Sequence, residues 1–278
     1  MVAFIGDVEI GRGENGIYLS KDGVEGWYDT PGLKTDFEER VGAHGAYPAR
    51  PLYSARTVTV RGHTVFDFDR PSHVAAWESL NAMYRSPQRV RYVDKDDTFI
   101  TGVVETKFQP EKFDMWSDFE VEVTAADPFR YSMTRQEATL MAGARRGAFD
   151  YPVDYPIDYA SSDSTASPTG TVLNRGNAVG YPVVTVTTTV PLPGGFLLQD
   201  GAGRSIRVAA PVLPGSPVTV DCKRRAVLVG GVNVSWALVE RQWFEVPAGG
   251  SATVTFQPDA DLPVGQAWAT LTFRDTWI

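Results

Sequence analysis

Apolar and polar residues alternate along much of this chain with a period of two, as in strands that bury one face. Phe119, Val121, Val123 and Ala125 alternate with Glu120, Glu122 and Thr124, and Val58 and Val60 with Thr57, Thr59 and Arg61. Later, Val218, Val220 and Cys222 interleave with Thr219 and Asp221, and Trp268, Thr270 and Thr272 with Ala269, Leu271 and Phe273. Short runs broken by Asp200-Gly201-Ala202-Gly203 and Gly230-Gly231 predict many strands joined by tight turns. One segment has helical spacing instead. Val74, Trp77, Leu80 and Tyr84 share a face, with Asp69 or Ser72 as N-cap and Ser86-Pro87 as stop. The expectation is an all-β chain with one short helix, its Trp77 buried against the N-terminal sheet.

At 278 residues the chain exceeds one ordinary domain, and 43% hydrophobic residues suffice for two packed cores. The strand pattern breaks near Ala126-Asp127-Pro128 and turns irregular from about Met141 to Pro168. In that stretch Asp150-Tyr151-Pro152-Val153 is echoed by Asp154-Tyr155-Pro156-Ile157 and Asp158-Tyr159-Ala160, ahead of a polar Ser/Thr tract. Each proline removes a backbone donor, so this stretch runs extended outside any sheet centre. The expected division is 1–132, a linker or arm at 133–168, and 169–278. The linker reads either as a plain connector or as an arm whose tyrosines dock on a domain or a neighbouring subunit.

Candidate chemistry is sparse. His44, His63 and His73 have no partners at metal-ligand spacing, and His63, after Gly62, is expected at a strand end. No nucleophile elbow, phosphate-cradling loop or dinucleotide fingerprint is present. The single cysteine, Cys222, allows no intrachain disulfide and points inward as a small hydrophobe. Asp94, Asp96 and Asp97 could hold calcium, but Lys95 sits among them and no Gly or Glu completes a loop, so they read as a polar hairpin turn. Asn233-Val234-Ser235 matches a glycosylation sequon without a secretory leader to give it meaning. Trp236, Trp243 and Trp268 could stack on sugars, but Trp243 and Trp268 fall on apolar strand patterns and are expected in the core. The reading is of a scaffold with no catalytic, cofactor or metal site. The net charge of -8 opposes stable nucleic-acid binding, and no apolar run near 20 residues crosses a membrane. The protein is read as soluble and made in a cytoplasm.

The order of modest motifs is more specific than any one of them. Gly45-Ala46-Tyr47-Pro48-Ala49-Arg50 precedes Arg56-Thr57-Val58-Thr59-Val60-Arg61-Gly62, then the helix with Trp77, then Ala126-Asp127-Pro128-Phe129-Arg130-Tyr131. Downstream come Asn174-Arg175-Gly176-Asn177, Pro182-Val183-Val184-Thr185-Val186, Val218-Thr219-Val220-Asp221 and Trp243-Phe244-Glu245-Val246-Pro247-Ala248-Gly249. This series resembles the distal tail proteins of bacteriophages with long non-contractile tails. The Asp-Tyr-Pro repeat is similar to the version in phages of actinobacteria, where such chains are minor tail proteins. The resemblance implies an N-terminal β-sandwich belt domain, a C-terminal galectin-like β-sandwich, and a structural virion protein rather than an enzyme. It further implies a homohexameric ring at the distal end of the tail, with the tail tube protein above and the tail-tip hub protein below. The tape-measure protein and DNA would pass through its lumen. The inner wall is then expected to be acidic or neutral, with Asp94, Asp96 and Asp97 one place to look, unless the acidic excess lies on outer faces. The alternative function is a carbohydrate-binding tail-tip module that recognises host cell-wall polysaccharide.

Overall fold

The computed structural model describes residues 1–11, 15–34, 39–47, 52–65, 71–106, 116–142, 167–260 and 262–278. The chain forms two compact units, residues 1–134 with 277–278, and residues 135–276. The Asp-Tyr-Pro repeat, the candidate cap Asp69 and Pro48-Ala49-Arg50 lie outside the described residues.

The first unit contains β1 (Val2–Ile5), β2 (Val8–Ile10), β3 (Ile17–Glu25), β4 (Leu33–Lys34), β5 (Leu52–Tyr53), β6 (Arg56–Val65), α1 (Pro71–Ala82), β7 (Pro87–Val93), β8 (Asp97–Val104), β9 (Trp116–Ala125) and β10 (Arg130–Ser132). Antiparallel ladders link them in the order β2-β1-β7-β8-β9-β6-β3, and β10 joins through β8. The ends of this order meet, where Gly11 N donates to Ile17 O at 3.2 Å, so the sheet is nearly closed. β6 and β9 pair Val58 with Val123 and Val60 with Val121. The two alternating segments that announced strands are therefore neighbours, and all four valines are buried.

β6 does not stop at Gly62. A Cβ there would lie 2.4 Å from Cζ of Phe119, so the Phe119 ring occupies the space that the glycine leaves. The strand runs on to Val65, and His63 lies inside it, stacked on Tyr18 at 5.1 Å, rather than at a strand end.

The helix is anchored differently from expectation. Leu80 is its buried residue, Trp77 and Ala76 are only partly buried against the core, and Val74 is exposed. Two successive three-residue steps turn about 600°, which leaves Val74 about 120° round the helix from Leu80. Tyr84 lies beyond the helix, bridging to Val104. Leu80→Ala is therefore expected to cost about 3 kcal/mol and Trp77→Ala only about 2, less than a fully buried aromatic. Urea denaturation of both variants checks the order; a larger loss for Trp77→Ala would contradict it.

The second unit contains β11 (Gln136–Met141), β12 (Thr169–Leu173), β13 (Val183–Thr188), β14 (Phe196–Asp200), β15 (Ser205–Val208), β16 (Val218–Asp221), β17 (Ala226–Val229), β18 (Val232–Asn233), β19 (Leu238–Arg241), β20 (Ser251–Pro258) and β21 (Ala267–Phe273). One sheet runs β11-β21-β13-β16-β17-β18 and the other β12-β20-β14-β15-β19. Their inner faces share one core that includes Leu140, Val184, Phe196, Leu198, Phe244, Phe256 and Leu271. The last strand, β22 (Thr276–Trp277), pairs with β10.

Two features differ from the sequence reading. Residues 136–141, expected in the linker, form β11 along the whole of β21, with Leu140 inward and Glu137 and Thr139 outward. Trp268 is not a core residue. Ala267, Ala269, Leu271 and Phe273 take the inner face of β21, so parity places Trp268 on the other face, half-buried beside Met141 and Thr187. Trp243 does pack against the core, although it is only partly buried.

The tight turns fall where expected. Gly230 and Gly231 adopt φ of 56° and 85° between β17 and β18, as a two-residue hairpin turn requires. Asp200 fixes the β14–β15 turn, its Oδ1 accepting from Ala202 N and Arg204 N at 3.0 and 2.8 Å.

Cys222 is buried, and burial pushes its thiol up to about 12 from an ordinary 9.0. Native protein is therefore expected to resist a disulfide reagent at pH 8 and to react fully once denatured. The sign of the pH effect follows: the unfolded thiol ionises near pH 9 and the folded one does not. This contribution to stability is complete below pH 9 and is lost as pH rises towards 12. A thiol that titrates in the native protein at pH 8 would contradict this burial.

Candidate functional site

Of the N-terminal motif residues, Arg56 and residues 127–131 converge on a single latch. Arg56 opens β6 and is buried. Its Nη1 donates to the carbonyls of Gly26, Trp27 and Asp29 at 2.9, 2.9 and 2.8 Å, and its Nε to Pro128 O at 2.7 Å. The loop after β3 and the turn after β9 are thus pinned by one guanidinium. Within that turn, the Asp127 carboxylate accepts from Tyr131 OH at 2.8 Å and lies 3.5 Å from Phe129 N. The Phe129 ring meets Tyr53 edge-on at 6.2 Å. Buried Arg130 donates to Ile278 O at 3.0 Å and lies over the Tyr28 ring at 4.9 Å.

The electrostatics match this packing. Burial pulls the Arg56 guanidinium down to about 10, and the Arg130 cation acts in the same direction. Burial also lowers Arg130. Tyr28 is pushed up to about 12, first by burial and then by its hydrogen bond to Asp94 Oδ2 at 3.1 Å. Both arginines remain charged at neutral pH, held by carbonyl dipoles and an aromatic face, so the cluster is built to fix loops rather than to move protons. Trp27 and Tyr28 escape a sequence reading because the loop around them has no periodicity.

The C-terminal motif residues form a second knot. Asn174 is fully buried; its Nδ2 donates to Ala178 O and Val246 O at 2.7 and 3.3 Å, and its Oδ1 accepts from Gly176 N and Thr276 N at 3.0 and 3.1 Å. Gly249 N donates to Gly176 O at 3.0 Å, and Gly250 N to Pro247 O at 3.1 Å. A Cβ on Gly176 would fall 1.8 Å from Thr276 O, so only glycine fits. Asn177 lies exposed in the same turn. Pro182 stands apart at the start of β13, buried, its carbonyl accepting from Cys222 N at 3.3 Å.

Asp94 and Asp96 lie in the hairpin turn that joins β7 and β8, as expected, and Asp97 opens β8 opposite Val93. Asp97 takes both Nε and Nη2 of Arg91 at 2.6 and 2.7 Å. Among the described residues no three His, Cys, Asp or Glu side chains cluster to hold a metal, and no helix is long and apolar enough to cross a membrane.

Some large apolar side chains are nonetheless exposed. Among the described residues the β4–β5 ribbon pairs with no other strand, and it exposes Leu33 and Leu52 by 56% and 60%, with Tyr47 also exposed. In the second unit, Val232, Trp236 and Val239 are exposed within eight residues.

Comparison with known proteins shows what the chain resembles. Residues 175–277 match the siphovirus-type tail component, C-terminal domain. The fold of the chain is similar to the crystal structure of the SPP1 Dit (gp 19.1) protein, described as a paradigm of the hub adsorption apparatus in phages that infect Gram-positive hosts. That likeness covers 100% of this chain and 99% of the other, at 13% identity and a TM-score of 0.63. A weaker likeness, at 9% identity and a TM-score of 0.39 over 87% of each chain, is to the phage P2 baseplate in its activated conformation with calcium. No curated protein matches the sequence. The resemblance to phage distal tail proteins, carried in the sequence by the order of short motifs, is thus met by a domain match and by the fold.

Proposed function

We propose that this protein is a structural component of a phage tail tip, a distal tail protein that joins the tail tube to the host-adsorption apparatus. The observation that supports it most is a fold shared end to end with a hub adsorption protein, together with a tail-component domain at 175–277. Six copies close into a ring through their N-terminal units, residues 1–132 in the division proposed from the sequence. The ring continues the tube's lumen for the tape-measure protein and DNA. A closed ring needs a heterologous contact, one patch meeting a different patch on the next copy. The β4–β5 ribbon, with Leu33 and Leu52 exposed, offers such a patch. The two latches suit a mechanical part, since each replaces a mobile loop with buried, hydrogen-bonded backbone.

Direct sugar binding is supported less well, because of Trp236, Trp243 and Trp268 only Trp236 is exposed, and one ring makes a poor platform. Gold-labelled antibodies against the protein test its place in the virion. Label at the far end of the tail is expected; label along the tube or on the capsid would overturn the proposal.

A further inference from the structure

The two sheets of the second unit each end in an edge strand, β18 in one and β19 in the other, joined by the short turn of 3-10 helix Ser235–Ala237. This edge carries Val232, Trp236 and Val239, exposed by 68%, 77% and 65%. As a strand template it is blunted. β18 is two residues long, and the register of β19 on β15 slips so that Val239 has no opposite partner. Short and bulged edges resist pairing with stray strands, yet three large apolar side chains remain in water there. The edge therefore offers side chains, not backbone.

Charge narrows what those side chains meet. The turn before β17 is Lys223-Arg224-Arg225, all exposed, in a chain whose net charge is -8. It lies close to Trp236 along the edge: Val227 N donates to Ser235 Oγ at 2.9 Å, and Val234 N to Val227 O at 2.8 Å. The neighbouring carboxylates are occupied. Asp221 Oδ1 accepts from Lys223 N and Arg224 N at 3.0 and 2.9 Å, its Oδ2 forms an ion pair with Nε of the exposed Arg224 at 3.6 Å, and Glu240 accepts from Ser205 Oγ. Exposed valines flanking the tryptophan suit an aliphatic protein pocket better than a sugar ring, which is bound by aromatic faces and polar groups.

We propose that this edge, with Trp236 at its centre, docks a different protein that offers an apolar pocket rimmed by carboxylates. Trp236 fills the pocket, Val232 and Val239 flank it, and the basic turn meets the acidic rim. The inference rests on the second unit alone and holds whether or not the chain forms a ring.

An array of random 15-residue peptides, probed with the full-length protein, tests it. The bound peptides are expected to combine Asp or Glu with large apolar residues, and their binding to weaken with salt. Trp236→Ala should lower affinity for the best peptide by about 30-fold or more, as for a central hot-spot tryptophan. Arg224→Glu with Arg225→Glu should also weaken it, while Val264→Ala, exposed elsewhere on the unit, should not. Because Trp236 is exposed, its loss does not compromise folding. Selection of peptides without acidic residues, or unchanged binding by Trp236→Ala, would overturn the proposal. So would a glycan array bound through Trp236 with no peptide bound, which makes the edge a sugar site. A drop in assembly mass on Trp236→Ala would instead make the partner a second copy.

Discussion

Arg56→Ala is expected to destabilise the N-terminal unit by about 4 kcal/mol, since four carbonyls lose their donor and each buried acceptor left unpaired costs about 1–3 kcal/mol. Water entering the vacated space lowers the total below a simple sum. Arg56→Lys should recover less than half, because an ammonium lacks the planar fork that reaches Gly26, Trp27, Asp29 and Pro128 together. Arg61, on the same strand, is the control. It bridges Glu25 at 2.6 Å and Glu120 at 3.0 Å, but its side chain is well exposed and water screens both pairs, so Arg61→Ala should cost far less than Arg56→Ala. Urea denaturation followed by circular dichroism and tryptophan emission measures all three. Equal losses for Arg56→Ala and Arg61→Ala would contradict the latch.

The second large effect is expected at Asn174. Its amide makes four hydrogen bonds in a fully buried position, two given and two received. Asn174→Ala should cost about 3–4 kcal/mol through the partners it strands. Asn174→Asp should be no better, since a carboxylate cannot donate to Ala178 O and Val246 O and carries a charge into the knot. Gly176→Ala tests the same knot by overpacking, since its methyl must displace the Thr276 backbone. A loss below about 1 kcal/mol in Asn174→Ala would place water in the knot and undo its role.

The alternating strands were legible in the sequence because burial on one face of a sheet writes itself as period two. Val58, Val60, Val121 and Val123 show this, and so does the parity of Val218, Val220 and Cys222. The motif order was legible too, but not why those residues matter. Arg56 and Pro128 are 72 positions apart, and no local pattern shows that one donates to the other. Period two also leaves open which of the two faces points inward. On β21 the bulkier Trp268 suggested one face, whereas Leu271 and Phe273 in the core fixed the other. A glycine inside a strand misled in a similar way at Gly62, where the ring of Phe119 supplied the missing packing from across the ladder. β11 was read as linker because its outward positions are polar and only Leu140 is buried, too weak a signal before its pairing with β21 is known.

The central claim is a ring of six, and native mass spectrometry of the purified full-length protein tests it most directly. The account predicts a dominant species at six times the 30.4 kDa chain, which falls apart when Leu33 and Leu52 of the ribbon are both changed to aspartate. A monomer at high protein concentration, with no species of six from tail particles either, would contradict it.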